Sequence, residues 1–257
     1  MQTVGLCDDI TLEKTEEGIE VFGNYGVPVM SDLTYRAALL FFGHFGIDGG
    51  VKITLEKRIP MQGGLGGGSA DAAAVLRGLA RLYNVDVSPE ELASLGASLG
   101  SDVPFCVVGG SRLAYGRGEI LKSAPRLSDS FGIAIIAGKS GASTPSQFAC
   151  LDRMYGNFKE KRNSDIALSR LCAAIESGDP AKICANMYNI FEDTAAYDKE
   201  AVALMREYGA YGGIMTGSGS SAFCLFDSSE AASDAVEILK QSGRSAFACT
   251  PISDVNK

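Results

Sequence analysis

The sequence contains no tryptophan, a single histidine and a minority of basic residues, and each shortage narrows what the chain can do. Lys and Arg total 23 against 31 Asp and Glu, a formal charge of −8. The chain as a whole therefore repels polyanions, which points away from nucleic acid, although a small phosphate can still be held locally. One histidine, His44, cannot supply a Ser-His-Asp triad or a histidine-rich metal site, and its setting, LLFFGHFG, predicts a packed structural side chain. The seven cysteines are odd in number and include no Cys-x-x-Cys pair, which predicts reduced, buried thiols rather than disulfides or a zinc site. The opening MQTVGLCDDI lacks the basic and apolar stretches of a secretion signal. No apolar run approaches the ~18 residues of a membrane span. The expectation is a cytoplasmic protein without a membrane partner.

What is present is the composition of a folded protein with a real core: 257 residues, 46% hydrophobic and 21% charged, with 31 glycines. Residues 3–22 alternate polar and apolar, predicting two strands joined by a turn around Glu16 to Gly18. Asp32 or Ser31 can cap a helix carrying Leu33, Ala37, Leu40 and Phe41, ahead of a strand from Val51 to Leu55. Helical spacing returns at Ala72, Val75, Leu76, Leu79 and Leu82, and Ser88-Pro89-Glu90-Glu91 starts another helix. Phe105 to Val108, Arg112 to Tyr115 and Phe131 to Ala137 read as strands. A polar stretch from Ser123 to Ser130 divides the chain into domains 1–124 and 125–257. In the second, helices are expected near Pro145 to Tyr155, Ile166 to Glu176, Pro180 to Phe191, Lys199 to Tyr208 and Ser229 to Lys240. Strands are expected at Gly212 to Met215, Ala222 to Phe226 and Ala246 to Cys249. The sum is an α+β protein in two halves, and the charges near Lys159 to Arg162 read as solvated surface.

Residues 60–74, PMQGGLGGGSADAAA, set five glycines and a serine between a strand and an alanine-rich helix. Glycines let backbone N–H groups converge without interference from Cβ, and a helix N-terminus adds a positive dipole end, so the combination suits polyphosphate oxygens. A tight turn is the alternative. A Rossmann loop fails because the acidic residue about 20 positions on, Asp86, stands in a turn before a second helix rather than in a βαβ unit, and Gly138-Lys139-Ser140 is out of register for a Walker A loop.

The stretch KRIPMQGGLGGGSADAAA resembles the phosphate-binding motif of the GHMP kinases, and LGSDVPF, GGSRLAYGRGE and MTGSGSSAFCLF agree with further blocks of that family. The triple glycine before Ser69 resembles the branch that phosphorylates 4-diphosphocytidyl-2-C-methyl-D-erythritol; homoserine and mevalonate kinases usually carry Gly-Leu-Gly-Ser-Ser there. The resemblance implies a two-domain GHMP kinase fold, with a ribosomal S5-like N-terminal domain and a ferredoxin-like α+β C-terminal domain. It implies ATP held by Pro60, Met61, Gln62, Gly63, Gly64, Leu65, Gly66, Gly67, Gly68, Ser69 and Ala70. The Ser69 hydroxyl is then available to phosphate or Mg²⁺, and Lys57 falls near the adenine pocket. Asp102 matches the family's catalytic base. Thr144 and Phe148, with Gly217, Ser218 and Gly219, fall on the substrate side. The residues alone leave alternatives open: a turn aspartate capping nearby N–H groups at Asp102, an exposed strand lysine at Lys57, and a helix cap, a core aromatic and a hairpin turn for the rest. The implied reaction is transfer from ATP to the 2-hydroxyl of that small-molecule substrate, in non-mevalonate isoprenoid synthesis, by a monomer or homodimer.

Two features depart from the family pattern. Its N-terminal Lys-x-Asn strand and Gly-Tyr-His turn have no counterpart here, and the loss of a strand would leave an unpaired sheet edge. Asp32 stands where the family usually shows asparagine, and a carboxylate cannot donate an amide hydrogen bond. Three readings follow: this kinase with its natural start upstream, a truncated homologue that binds ATP without transferring phosphate, or a GHMP kinase for another small alcohol.

Overall fold

The computed structural model describes residues 1–23, 26–138, 143–156 and 164–253. Lys139, Ser140 and the charges near Lys159 to Arg162 lie outside the described residues. In chain order the first half runs β1 (Thr3–Val4), β2 (Asp9–Thr15), β3 (Gly18–Phe22), α1 (Leu33–Phe45), β4 (Gly50–Glu56), α2 (Gly67–Leu82), α3 (Pro89–Gly96), α4 (Val103–Val108), β5 (Arg112–Tyr115) and β6 (Ile120–Ser123). The second runs β7 (Gly132–Ile136), α5 (Thr144–Tyr155), α6 (Ser164–Ser177), α7 (Pro180–Asn186), α8 (Lys199–Glu207), β8 (Gly212–Met215), β9 (Ala222–Phe226), α9 (Ser229–Gln241), β10 (Ala246–Cys249) and β11 (Pro251–Ile252).

The strands predicted on either side of Glu16 to Gly18 form, but they do not pair with each other. β4 lies between them, antiparallel to β2 and parallel to β3. The connecting turn passes over Gly50, where any Cβ would collide with the backbone of Glu17 and Gly18. One face of this sheet carries the helices. Ala37 and Ala38 of α1 and Ala72 and Ala73 of α2 are fully buried, and side chains this small let the two helices approach closely. The predicted starts hold: the Asp32 carboxylate accepts from Thr34 N–H at 2.7 Å, and Ser88 and Glu91 form a reciprocal capping box. Phe105 to Val108, expected as a strand, is instead most of helix α4. Pro104 occupies its first turn, where the fixed φ of proline suits a helix start, and Val103, Phe105 and Val107 are buried. His44 is not packed inside. It lies exposed in the last turn of α1, beyond the buried stripe of Thr34, Ala37, Ala38 and Phe41.

In the second half β10, β7, β9 and β8 form an antiparallel sheet in that order. Every residue of β7 is buried, because both faces are covered. Ala134 and Ile136 join the core under α8 and α9, while Ile133 and Ile135 join Ala174 of α6 and Ile183 of α7. The helix expected from Pro180 to Phe191 stops at Asn186 and gives way to a 3₁₀ turn, Ile190–Asp193. Asn189 caps that turn, accepting from Phe191 N–H at 3.0 Å. The halves interlock at two further places. β1 pairs with β11, and Leu65, Val4 and Leu6 pack against the core under α6 and α7. None of the seven cysteines is in a disulfide, but only Cys224 is buried and Cys7 is exposed, so the expected burial of all the thiols does not hold. Among the described residues no helix is long and apolar enough to cross a membrane.

Candidate active site

The chain leaves β4 at Glu56 and enters α2 at Gly67, and most of the connecting loop walls a cavity of about 420 Å³ together with Val27, Asp32, Leu33 and Leu55. Pro60 through Ser69 all line it, as do Lys57 and Asp71. Gly64 and Gly66 have φ of +73° and +70°, a region that L side chains rarely adopt. Gly66 is the N-cap of α2 and has no side chain to cap it. The first intrahelical bond runs from Ala70 N–H to Gly66 O, 2.9 Å. The N–H groups of Gly67, Gly68 and Ser69 therefore lack helical acceptors and carry the positive end of the helix dipole. A Cβ at Gly67 or Gly68 would sit 3.1 to 3.3 Å from Ile59, Lys57 and Leu33, so glycine keeps this end of the cavity open.

The second glycine loop fixes the first. Ser221 N–H donates to Gly63 O at 3.0 Å and Thr216 Oγ1 to Gly64 O at 3.2 Å. The two backbones approach so closely that a Cβ on Gly64 would stand 2.5 Å from Thr216 O, and one on Gly217 2.8 Å from Gly64 O. Asn189 Nδ2 donates to Met215 O and Gly217 O at 2.8 and 2.9 Å, while Glu192 Oε1 accepts from Met215 N–H at 3.0 Å. Thr144 Oγ1 lies 2.8 Å from Ser218 Oγ, which joins α5 to the same loop. Thr144 does not cap α5; Ser143 does. Phe148 is not a core aromatic either. It is 54% exposed and meets Phe191 edge-on at 5.0 Å.

Lys57 is not an exposed strand lysine. Its side chain is 12% exposed, and its Nζ is paired with Asp8 (side chain 2% exposed) and with Asp71 (side chain 6% exposed), the latter at 2.7 Å. Asp8 also accepts from the N–H groups of Arg58 and Ile59 at 2.5 and 2.8 Å. Although burial works against its charge, these donors hold the Asp8 carboxyl below the usual carboxylate range. Asp71, paired with Lys57 and with Asp8 close by, is pushed up to about 7, chiefly by burial. Burial works against the Lys57 charge, but the two carboxylates outweigh it and raise its pKa.

Asp102 stands at the start of α4, and its side chain makes no cap bond to that helix. The residue is exposed by area, yet enough protein surrounds its carboxyl that desolvation raises its pKa. Gly118, at φ +122° in the turn between β5 and β6, would place a Cβ 3.4 Å from Asp102 Oδ1. The Cys106 thiol, pushed up to about 12 by burial, is also raised by Asp102 and by Asp71. Asp102 and the Lys57 cluster thus lie within electrostatic reach of one side chain. Sequence reading missed Asp8, Asp71, Asn189 and Glu192. Only tertiary pairing reveals them, since Lys57 stands 49 residues from Asp8 and 14 from Asp71. Asp71 alone carried a signal, as a carboxylate among the alanines of an amphipathic helix.

The family described as GHMP kinases N terminal domain matches residues 32–110, and that described as GHMP kinases C terminal matches residues 171–245. A protein of Caldicellulosiruptor saccharolyticus named 4-diphosphocytidyl-2-C-methyl-D-erythritol kinase is 38% identical over 250 residues, covering 93% of this chain and 83% of that protein. One of the same name from Bacillus mycoides is 38% identical over 232 residues, covering 88% of this chain and 78% of its own length. A crystal structure of 4-(cytidine 5'-diphospho)-2C-methyl-D-erythritol kinase superposes with a TM-score of 0.73 at 32% identity, covering 96% of this chain and 87% of the other. Homoserine kinase from Cytophaga hutchinsonii superposes at 0.77 with 20% identity, covering 98% and 89%, a likeness of fold alone.

Proposed function

The chain belongs to the GHMP kinases, and from that premise we propose that it phosphorylates the 2-hydroxyl of 4-diphosphocytidyl-2-C-methyl-D-erythritol with ATP, a step of non-mevalonate isoprenoid synthesis. The observation that carries this reading is the glycine cradle: uncapped N–H groups at the head of α2 facing a cavity whose size suits a nucleotide. Residues 1–124 hold the donor, and residues 125–257 supply the loop and α5 that border the acceptor.

Phosphoryl transfer asks a protein mainly to position the reactants and to stabilise charge. The loop from Pro60 to Ala70 holds the donor's phosphates through its backbone, and Asp32, Leu33, Leu55 and Val27 form the wall beside them. Mg²⁺, when bound, would neutralise phosphate oxygens, and the Ser69 hydroxyl, which lines the cavity in the first turn of α2, would hold it; magnesium takes few protein ligands beside phosphate and water. Thr144, Phe148 and the loop Gly217-Ser218-Gly219 face the acceptor. Asp102 takes the proton of the acceptor hydroxyl as that oxygen bonds to the γ-phosphorus and the bond to the ADP oxygen breaks. Its raised proton affinity makes it a stronger base than an ordinary carboxylate.

The test is ADP release from ATP and Mg²⁺, with and without the acceptor. Substrate-dependent release that falls by roughly 10²–10⁴ in Asp102→Asn, with nucleotide binding retained, supports the reading. Binding of ATP without release overturns the transferase assignment, and absence of ATP binding overturns the role of the loop.

A further inference from the structure

Helix α4 carries Asp102 at its start and is six residues long. At roughly 1.5 Å per residue it spans about 9 Å, too short to persist as a helix without tertiary support. The support is at its far end. Phe105 O accepts from Gly109 N–H at 2.7 Å. The next two carbonyls, of Cys106 and Val107, both accept from Arg77 Nη1, at 2.5 and 3.3 Å. Arg77 is half-buried on α2, the helix whose first turn is the glycine cradle. Burial lowers its pKa, but a guanidinium starts so high that it stays charged. A cation there satisfies orphan carbonyls and opposes the negative end of the α4 dipole. Packing supports the same link, since a Cβ on Gly96 of α3 would meet both Val103 of α4 at 2.7 Å and Leu76 of α2 at 3.3 Å.

Resting on the reading of Asp102 as the base, we propose that Arg77 is a positioning residue that ties α4 to α2 and so sets Asp102 against the glycine cradle. The donor loop and the base then stand on two ends of one clamped unit, and Arg77 touches neither reactant.

The experiment compares Arg77→Met and Arg77→Lys with the unaltered chain in kcat, in KM for ATP, and in hydrogen exchange of the α4 amides. The expected result for Arg77→Met is a fall in kcat of tenfold or more, KM for ATP within twofold, and faster exchange confined to α4 and the residues after it. Arg77→Lys should recover part of the loss, because an ammonium can reach one carbonyl. A kcat within twofold for Arg77→Met overturns the proposal. So does a fall in kcat accompanied by faster exchange throughout the chain, which marks a general structural role. If the unaltered chain releases no substrate-dependent ADP, the assignment of the base fails separately. The clamp is then judged on exchange alone, and unchanged protection of α4 in Arg77→Met overturns it.

Discussion

Asp71 keeps its proton to about pH 7 because it is buried beside a second carboxylate and shares one lysine with it. A folded-state pKa above the unfolded value means that the folded chain binds the proton more tightly. That contribution to stability is complete below the ordinary carboxylate pKa of ~3.9 and is lost as pH rises through about 7. Asp8 has the opposite sign: its pKa is lowered, so its contribution is lost only as pH falls below the carboxylate range. The two windows do not overlap. Asp71→Asn should therefore remove the loss of stability between about pH 4 and pH 7, a loss of at most a few kcal/mol at ~1.4 kcal/mol per pKa unit. Urea midpoints for the two proteins should converge at low pH and separate in favour of the asparagine variant at high pH. Parallel curves across that range would refute the raised proton affinity of Asp71. Nothing local to Lys57 announces this cluster. A lysine after a strand reads as solvated because the pattern cannot display partners 49 and 14 residues away.

At the scale of elements, the two glycine loops act as one. Gly66 has open space around its Cβ position and needs only the left-handed backbone. Alanine there should cost about 1–2 kcal/mol of strain and raise KM for ATP modestly. Gly64 needs the same backbone and also faces Thr216 O at 2.5 Å, so Gly64→Ala should displace the loop and raise KM for ATP by roughly tenfold or more, about 1.4 kcal/mol. Gly217→Ala, from the second glycine loop, should do likewise through Gly64 O, and a KM for ATP unchanged by Gly217→Ala would show that the loops move independently. This element was the legible part of the site, because positive φ and close backbone approach leave few residues but glycine. Asp32 and Ser88 were legible as helix caps for a related reason, since a side-chain oxygen bonding a nearby N–H is a local event. The segment Phe105 to Val108 was not. Its β-branched and aromatic residues favour a strand, and the helix is set by Pro104 in its first turn and held from outside by Arg77 at its tail. Strands β2 and β3 could be seen in the alternation, but their common partner β4 arrives only after a helix.

For the whole molecule, the division into two α+β halves could be read from the order of elements, whereas their interdependence could not. Leu65 leaves the first glycine loop to pack under the sheet of the second half. Ser221 and Thr216 return hydrogen bonds to Gly63 and Gly64, and β1 closes against β11. A ligand that binds only the folded chain stabilises it by RT ln(1 + [L]/Kd), about 2.7 kcal/mol at a hundredfold excess over Kd. If the first glycine loop were supported by the first half alone, nucleotide would protect α2 and leave the sheet of the second half unaffected. With the loops interlocked, the same increment should reach both. The expected outcome is one calorimetric transition that moves upward as a unit with ADP, and slower amide exchange in β7 and β9 as well as in α2. Two transitions, of which nucleotide shifts only one, would show that the contacts between the loops are too weak to couple the halves.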